Sequence, residues 1–495
     1  MKNNQKYFES VLTDEYSVRK GKVNQLNSMN ISSWPNHFSV HKNYIVNVLE
    51  KNIHEDNAKN VYTVLGRVTN IREHGKSIFM HIQDATGNIQ LYIKKEDGNS
   101  DLFNFILKFF DVGDVVECVG IMFITKTQEK TLRINQAKIL SKCLRNVPDK
   151  YVGFDNIEER YRKRYLDIIV NHEVRDIFIK RTLLIRHIRN FLDQCGYLEV
   201  ETPMLHQIPG GALAKPFKTY HNALNTDLFL RIAPELYLKK LIIAGFEKVY
   251  EINKNFRNEG VSIRHNPEFT MLEFYTAYQN YEWAMKMVEE ILRSVCFILN
   301  NTYAVSWNDY EINFEDSFDR LSAYQALLKY SHLTDAMLQE DVINKLIDDI
   351  EMHKKSYAEK IFYLFEQYAE HKIIKPTFLI DFPVSNSPLA KVSDDNPDIA
   401  CRFELFICGM EISNGYNELN NPFDQSDRFQ SQARERDNNG NEEAMYYDAD
   451  FITALEYGMP PTVGVGIGID RVCMLLTGAK TIKDVILFPT MKKNL

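Results

Sequence analysis

Residues 255–273 read NFRNEGVSIRHNPEFTMLE and crowd Arg257, Glu259, Arg264, His265, Glu268, Phe269 and Glu273 into one short stretch. Apolar runs flank it, residues 248–252 before and 269–277 after, with Gly260 and Pro267 marking a turn between them. The pattern predicts a hairpin whose loop carries guanidinium, imidazole and carboxylate groups together. A guanidinium presents a planar fork of donors suited to phosphate or carboxylate, and an aromatic ring offers its face to a nucleobase. An ordinary solvated hairpin with surface charges is the bland alternative. Against it stands a second segment far downstream, residues 464–471, GVGIGIDR. This is a glycine-spaced apolar strand ending in Asp470 and Arg471, followed by a helical stretch at 472–476. It is not GxGxxG and no βαβ unit follows, so a dinucleotide reading fails. Its glycines instead permit close approach of backbone to a ligand.

Working outward, Val174, Ile177, Phe178, Leu184, Ile185, Ile188, Phe191 and Leu192 form a helical stripe that Gly196 ends in the C′ position. Strands and helices then mix, as in an α+β domain. Residues 301–375 are expected to be a helical insertion, in which Ser356 to Glu359 fits a capping box ahead of an apolar face of Ile361, Phe362, Leu364, Phe365 and Tyr368. Upstream the pattern changes. Residues 61–68, 77–84, 88–93, 115–123 and 131–139 read as strands, with a short helix at 101–110 between the third and fourth. Three strands, a helix and two strands is the order of an OB-fold barrel, a frequent binder of single-stranded nucleic acid. The domains expected are a helical lead-in at 1–60, the barrel at 61–145, a charged linker at 146–170 and a catalytic domain at 171–495.

Composition bounds the same answer. The 495 residues are 44% hydrophobic and 12% aromatic, enough to bury cores in two or three domains. The polar start and the lack of any long apolar run point to no secretion signal, no membrane span and a cytoplasmic location. Seven widely spaced cysteines, with no CxxC or CxxH pair, argue against zinc and disulfides and for a reducing compartment. Net charge is −8, yet residues 60–150 hold thirteen Lys and Arg against ten Asp and Glu. That local excess is weak support for an RNA-binding module.

These segments together carry a resemblance. FRNEG…RHNPEFT resembles motif 2 of the class II aminoacyl-tRNA synthetases, GVGIGIDR their motif 3, and residues 191–203, FLDQCGYLEVETP, their motif 1. IPGGALAKPF (208–217), RIAPELYLKKL (231–241) and GYNELNNPFDQ (415–425) resemble the lysyl branch in particular. The resemblance implies an N-terminal OB-fold β-barrel followed by an antiparallel sheet flanked by helices. It also implies a homodimer that activates L-lysine with ATP and passes it to tRNA(Lys).

The roles it implies are specific. Arg257 and Arg471 would be the catalytic arginines, the first clamping the α-phosphate and the amino-acid carboxylate. Glu259, Arg264, His265 and Phe269 would complete the ATP site, with Phe269 stacked on adenine. Gly211, Glu235, Glu273, Tyr275, Asn414, Tyr416 and Glu418 would hold lysine, the carboxylates meeting its two ammonium groups. Glu404 and Glu411 would bind magnesium, more than one ion per subunit. Geometry alone does not place both on one ion: seven apart in a single strand, they would point to opposite faces unless a bulge intervenes. In the barrel, Arg67, Arg72, Phe79 and Gln90 would read the anticodon, although Phe79 at alternate spacing also fits core packing. No general base is expected, because the substrate carboxylate is already ionised and catalysis would be positioning and electrostatics. Two other readings are a protein lysyltransferase, a group that lacks the barrel, and a non-catalytic relative, expected to lose the motif arginines that this chain keeps.

Overall fold

The structure, a computed structural model, describes residues 14–51, 60–96, 98–148, 154 and 156–492. Parts of the expected lead-in (1–13 and 52–59) and of the linker (149–153 and 155) lie outside them. Contacts divide the chain into two compact units, Met1–Phe154 and Asp155–Leu495.

In the first unit, helices α1 (Asp14–Ser28) and α2 (Ile45–Glu50) precede strands β1 (Val61–His74), β2 (Ser77–Gln83) and β3 (Asn88–Lys94). Helix α3 (Ser100–Phe109) follows, then β4 (Val115–Ile124) and β5 (Lys130–Ser141). The strands close into a barrel in the order β1-β2-β3-β5-β4. Alternation of side chains explains the closure. In β2 it is Ile78, Met80 and Ile82 that are buried, while Ser77, Phe79, His81 and Gln83 face outward. Each buried aliphatic side chain is worth about 1.5–3 kcal/mol. Phe79 is therefore no part of the barrel core. The lead-in helix is tied down by Arg19 of α1, whose guanidinium donates to the carbonyls of Val112 at 3.0 Å and Cys143 at 3.1 Å.

The second unit is built on eight strands: β6 (Leu198–Glu199), β7 (Lys248–Phe256), β8 (Glu268–Ala277), β9 (Asp319–Ser322), β10 (Thr377–Pro383), β11 (Ile399–Ile407), β12 (Met410–Asn417) and β13 (Thr462–Gly468). Their order across the sheet is β9-β10-β11-β12-β13-β8-β7-β6. Pairing is antiparallel through the centre and parallel only at the two edges, β9 with β10 and β6 with β7. Helices α4 (His172–Gln194) and α5 (Tyr281–Asn300) bury Leu184, Ile188, Leu192, Val288, Ile291 and Val295 against inward residues of the sheet such as Leu405, Val465 and Ile467. The α4 helix ends as its sequence predicts, with Gly196 at φ +80°.

Three expectations change. The run 402–411 is not one strand: β11 and β12 turn back on each other through Cys408 and Gly409, at φ +50° and +64°. Asp470 and Arg471 do not end a strand but lie in the first turn of the helix Ile469–Thr477. The segment 301–375 opens with strands, Ala304–Trp307 paired to Tyr310–Asn313 and then β9, before its helical part begins at Ala323. Val305, Trp307 and Ile312 are buried at alternate spacing there, a period of two that overrides the helical reading. The Ser356 capping box is formed, with Glu359 N–H donating to Ser356 Oγ at 3.3 Å and Ser356 N–H donating to Glu359 Oε2 at 3.0 Å.

Candidate active site

A cavity of about 370 Å³ opens over β8, β11, β12 and β13. Every catalytic-domain residue to which the resemblance assigns a role lines it, although Glu268 does not: Gly211, Glu235, Arg257, Glu259, Arg264, His265, Phe269, Glu273, Tyr275, Glu404, Glu411, Asn414, Tyr416, Glu418 and Arg471. Register explains the gathering. Glu273 on β8 lies opposite Gly466 on β13, which in turn lies opposite Asn414 on β12. Opposed residues share a face, so side chains from distant segments meet where the glycines leave room. A Cβ at Gly464 would fall 2.0 Å from Glu418 Oε1 and 2.5 Å from the Tyr275 ring, so only glycine fits there. Gly211, at φ +89°, passes so close to Glu235 that a Cβ would sit 2.9 Å from that residue's own Cβ.

One part of the cavity is cationic. The half-buried Arg257 guanidinium lies 5.1 Å from the centre of the Phe269 ring, and its Nε has no hydrogen-bond partner. Burial lowers the pKa of Arg257 from its ordinary value. Arg471 donates to the Glu411 carbonyl at 2.5 Å and to His265 Nε2 at 3.0 Å. His265 Nε2 must therefore accept, which leaves the ring proton on Nδ1 to be donated to Ser262 Oγ at 2.8 Å. Burial, and next the Arg471 charge, hold this imidazole below its ordinary value, in keeping with an acceptor Nε2. Arg264 donates to the Gly409 carbonyl in the β11–β12 turn. Glu259 lies exposed at the loop.

The other part is acidic. Glu235, Glu273 and Glu418 are all buried. Tyr416 donates to Glu235 Oε2 at 2.7 Å and Tyr275 to Glu273 Oε2 at 3.2 Å. Glu418 Oε1 has no hydrogen-bond partner. Burial first, and then the Glu235 charge, push Glu273 up to about 8. Burial, opposed by Lys239 but aided by Glu235 and Glu273, pushes Glu418 well above the usual carboxylate range. The cavity thus buries more carboxyl groups than its own cations keep ionised.

Glu404 and Glu411 stand on adjacent strands. Glu404 lies opposite Asn414 and Phe406 opposite Glu411, with a bulge between Leu405 and Phe406. Both carboxylates therefore open on the cavity. Burial outweighs the Arg402 guanidinium and, with Glu411 adding to it, pushes Glu404 up to about 7. A buried carboxyl that resists ionisation beside a second carboxylate is suited to a hard cation. No group of three or more His, Cys, Asp or Glu among the described residues is arranged to hold a metal by itself. The pair fits an ion that takes its remaining oxygens from substrate phosphates and water, as magnesium does.

Residues 156–492 match the family model of tRNA synthetases class II (D, K and N). The chain belongs to the class II tRNA synthetases. Residues 62–140 match an OB-fold nucleic acid binding domain. Among curated relatives, a protein of Magnetococcus marinus named lysine–tRNA ligase is 48% identical over 436 residues, 87% of each chain. Lysine–tRNA ligases of Campylobacter jejuni and Fusobacterium nucleatum are 45% and 46% identical, covering 98% and 99% of each chain respectively.

In this synthetase the barrel carries an outward aromatic row: His74 to Phe79 at 6.2 Å, Phe79 to Tyr92 at 5.0 Å and Tyr92 to Phe123 at 5.6 Å between ring centres. Arg72 lies opposite Phe79, and Gln90 lies opposite His81 on the neighbouring strand. Gln90 donates to Glu129 Oε2 at 2.6 Å and accepts from Thr131 Oγ1 at 3.1 Å. Arg67 is not brought to this cluster. It lies opposite Gln83, four positions along β2 from Phe79, and its guanidinium donates to the Gly113 carbonyl at 2.7 Å.

Sequence reasoning missed several side chains. Lys239 is fully buried between Glu235 and Glu418, and Arg402 donates to Glu404 at 2.5 Å and to Asn414 Oδ1 at 3.2 Å. Arg181 of α4 pairs with Asp470 at 2.6 Å and reaches Thr270 Oγ1 at 3.0 Å, next to Phe269 and Arg471 in sequence. The four-residue spacing of Glu235 and Lys239 on a helix was the one signal available for the first. Among the described residues no helix is long and apolar enough to cross a membrane. All seven cysteines are free.

Proposed function

We propose that this synthetase is a lysine–tRNA ligase that converts L-lysine and ATP to lysyl-adenylate and pyrophosphate, then transfers lysine to the 3′ end of tRNA(Lys). The observation that carries the reading is the buried carboxylate trio, with Glu418 Oε1 left without a partner. An unpaired buried charge costs several kcal/mol, so the complementary ligand is a cation. An aspartate or asparagine side chain offers no ammonium to this trio. The names of the relatives point the same way.

In this reading Glu235 and the Gly211 backbone meet the α-ammonium, and Tyr275 and Glu418 meet the ε-ammonium. Glu273, Asn414 and Tyr416 close the pocket around the aliphatic stem. Arg257 faces the α-phosphate and the lysine carboxylate, where negative charge accumulates as the oxygen attacks phosphorus. Phe269 and Glu259 take the adenine, while Arg264, His265 and Arg471 take the outer phosphates. Glu404 and Glu411 would hold magnesium, which supplies charge neutralisation on the phosphates. Each of these groups acts by position and field, and none needs to move a proton. Arg72, Phe79, Gln90 and, more distantly, Arg67 read the anticodon on the barrel. The enzyme works in the cytoplasm as a homodimer. Ile179 and Leu183 of α4, with Leu198 and Leu205 after it, are exposed apolar residues that support a self-associating face.

Pyrophosphate exchange into ATP tests the assignment. Lysine should drive exchange, and aspartate, asparagine and arginine should drive far less. Exchange driven equally well by aspartate would overturn it.

A further inference from the structure

The cavity's carboxylates already meet one ammonium of the protein itself, from a residue that does not line the cavity. Lys239 follows Glu235 by one helical turn in Glu235–Ile243 and is fully buried. Its Nζ lies 2.5 Å from Glu235 Oε1 and also contacts Glu418 Oε2, a carboxylate from beyond β12. The rings of Tyr416 and Phe451, at 5.7 and 5.8 Å, complete its surroundings. Each carboxylate thus has one oxygen on Lys239. The second oxygen of Glu235 accepts from Tyr416, and the second oxygen of Glu418 has no partner.

Charge decides what this arrangement accepts. Once a cationic ligand holds them ionised, Glu235, Glu273 and Glu418 bring three negative charges and Lys239 returns one positive charge, leaving an excess of two for the ligand. A diamino acid brings two ammonium groups, and its carboxylate is matched separately by Arg257. Without Lys239 the trio would carry one charge too many for such a ligand, Glu418 would lose its one partner, and Glu235 would be held by Tyr416 alone. Removing one partner of a buried ion pair leaves a charge uncompensated and is strongly unfavourable. We propose that Lys239 is a specificity-determining positioning residue, which fixes Glu235 and Glu418 and sets the charge of the pocket so that a ligand with two ammonium groups balances it. The inference rests on the reading of the chain as a lysine-activating enzyme.

The test uses the full-length enzyme with Lys239→Met and Lys239→Gln, the second keeping a polar group beside the carboxylates. In pyrophosphate exchange, both should raise KM for lysine by about tenfold or more, with KM for ATP unchanged and kcat within about threefold. An unchanged KM for lysine, or a loss confined to kcat, would overturn the proposal. If the variants do not fold alone, melting is repeated in millimolar lysine against sodium chloride of equal ionic strength. Recovery with lysine alone supports the proposal, because the substrate then supplies the missing cation. No recovery makes Lys239 a structural keystone and overturns it. The unsubstituted enzyme is assayed alongside: if it shows no lysine-dependent exchange, the assigned function fails, whereas normal exchange with unaffected variants fails only this inference.

Discussion

The cavity of the catalytic unit and the outer face of the barrel each gather charged and aromatic side chains, but they do so under opposite conditions. In the cavity the carboxylates of Glu235, Glu273 and Glu418 are buried, and their protonation is displaced by burial and by each other. On the barrel, Phe79, Tyr92 and Gln90 stand at the surface over a core of Ile78, Met80 and Ile82. Water screens one set and not the other. Buried ions store energy that a ligand of the right charge releases, so changes there should be large and pH-dependent. Exposed stacking surfaces gain a little per contact, so changes there should be small, additive and salt-dependent.

The largest expected effect is at Arg257. Arg257→Ala should slow lysine-dependent exchange a hundredfold to a thousandfold, on the order of 3–4 kcal/mol, because it removes a donor aimed where charge develops. Folding should be nearly unaffected, since the guanidinium Nε has no hydrogen-bond partner to lose. A collapsed melting temperature with activity retained per folded molecule would make the residue structural and erase the contrast between the two regions.

A smaller effect, opposite in sign for stability and for function, is expected at Glu273. Its carboxyl is pushed up to about 8 in the folded state, from an ordinary value of 4.5. Between those two values the folded protein keeps a proton that the unfolded chain has lost. Stability of the ligand-free enzyme therefore falls as pH rises through this window and is not penalised below it. Glu273→Gln should remove the penalty, a gain of about 2–3 kcal/mol at pH 7 that disappears near pH 4.5. The same substitution should raise KM for lysine. In the unsubstituted enzyme, protons should compete with lysine, so KM should fall as pH rises from 6 to 8. A Glu273→Gln enzyme that melts below its parent at pH 8 without lysine would mean the carboxylate is already compensated.

What the sequence disclosed follows the same division. Every catalytic-domain residue proposed from the motifs lines one cavity, because register ties their strands together. Lys239 escaped because an i, i+4 Glu–Lys pair is the ordinary decoration of a solvated helix. What makes it different is Glu418, which no local pattern connects to it. The Glu404–Glu411 geometry escaped for a different reason. The turn between their strands is Cys408-Gly409, with φ positive at both residues, and a cysteine there gives none of the Asn-Gly or Asp-Gly signal that marks such hairpins. Alternation placed the barrel strands correctly, yet the period of two could not say which face of β2 points inward, and Phe79 stayed ambiguous until closure of the barrel decided it.

The barrel should yield the smallest effects, and they should be graded along its face. Phe79 sits within the aromatic row, 5.0 Å from Tyr92, and Arg72 lies directly opposite it. A stacked base is worth roughly 1–3 kcal/mol by alanine substitution, so Phe79→Ala should weaken tRNA binding within that range. Exchange without tRNA should be unchanged, because none of the residues lining the catalytic cavity belongs to the barrel. Arg67 differs in two respects. Four residues of extended strand separate its partner Gln83 from Phe79, about 13 Å at the strand rise, and its guanidinium is already engaged by the Gly113 carbonyl. A base stacked on the row would be out of its reach, leaving only a phosphate contact open to it. Arg67→Ala should therefore cost less affinity than Phe79→Ala, about 1 kcal/mol or under, and should flatten the dependence of binding on salt rather than its dependence on the anticodon bases. Filter binding of tRNA(Lys) and of anticodon-substituted transcripts across a salt series separates the two behaviours. If Arg67→Ala abolishes discrimination between anticodons while Phe79→Ala does not, the reading surface lies at the Gly113 end of the barrel and the aromatic row is not the platform.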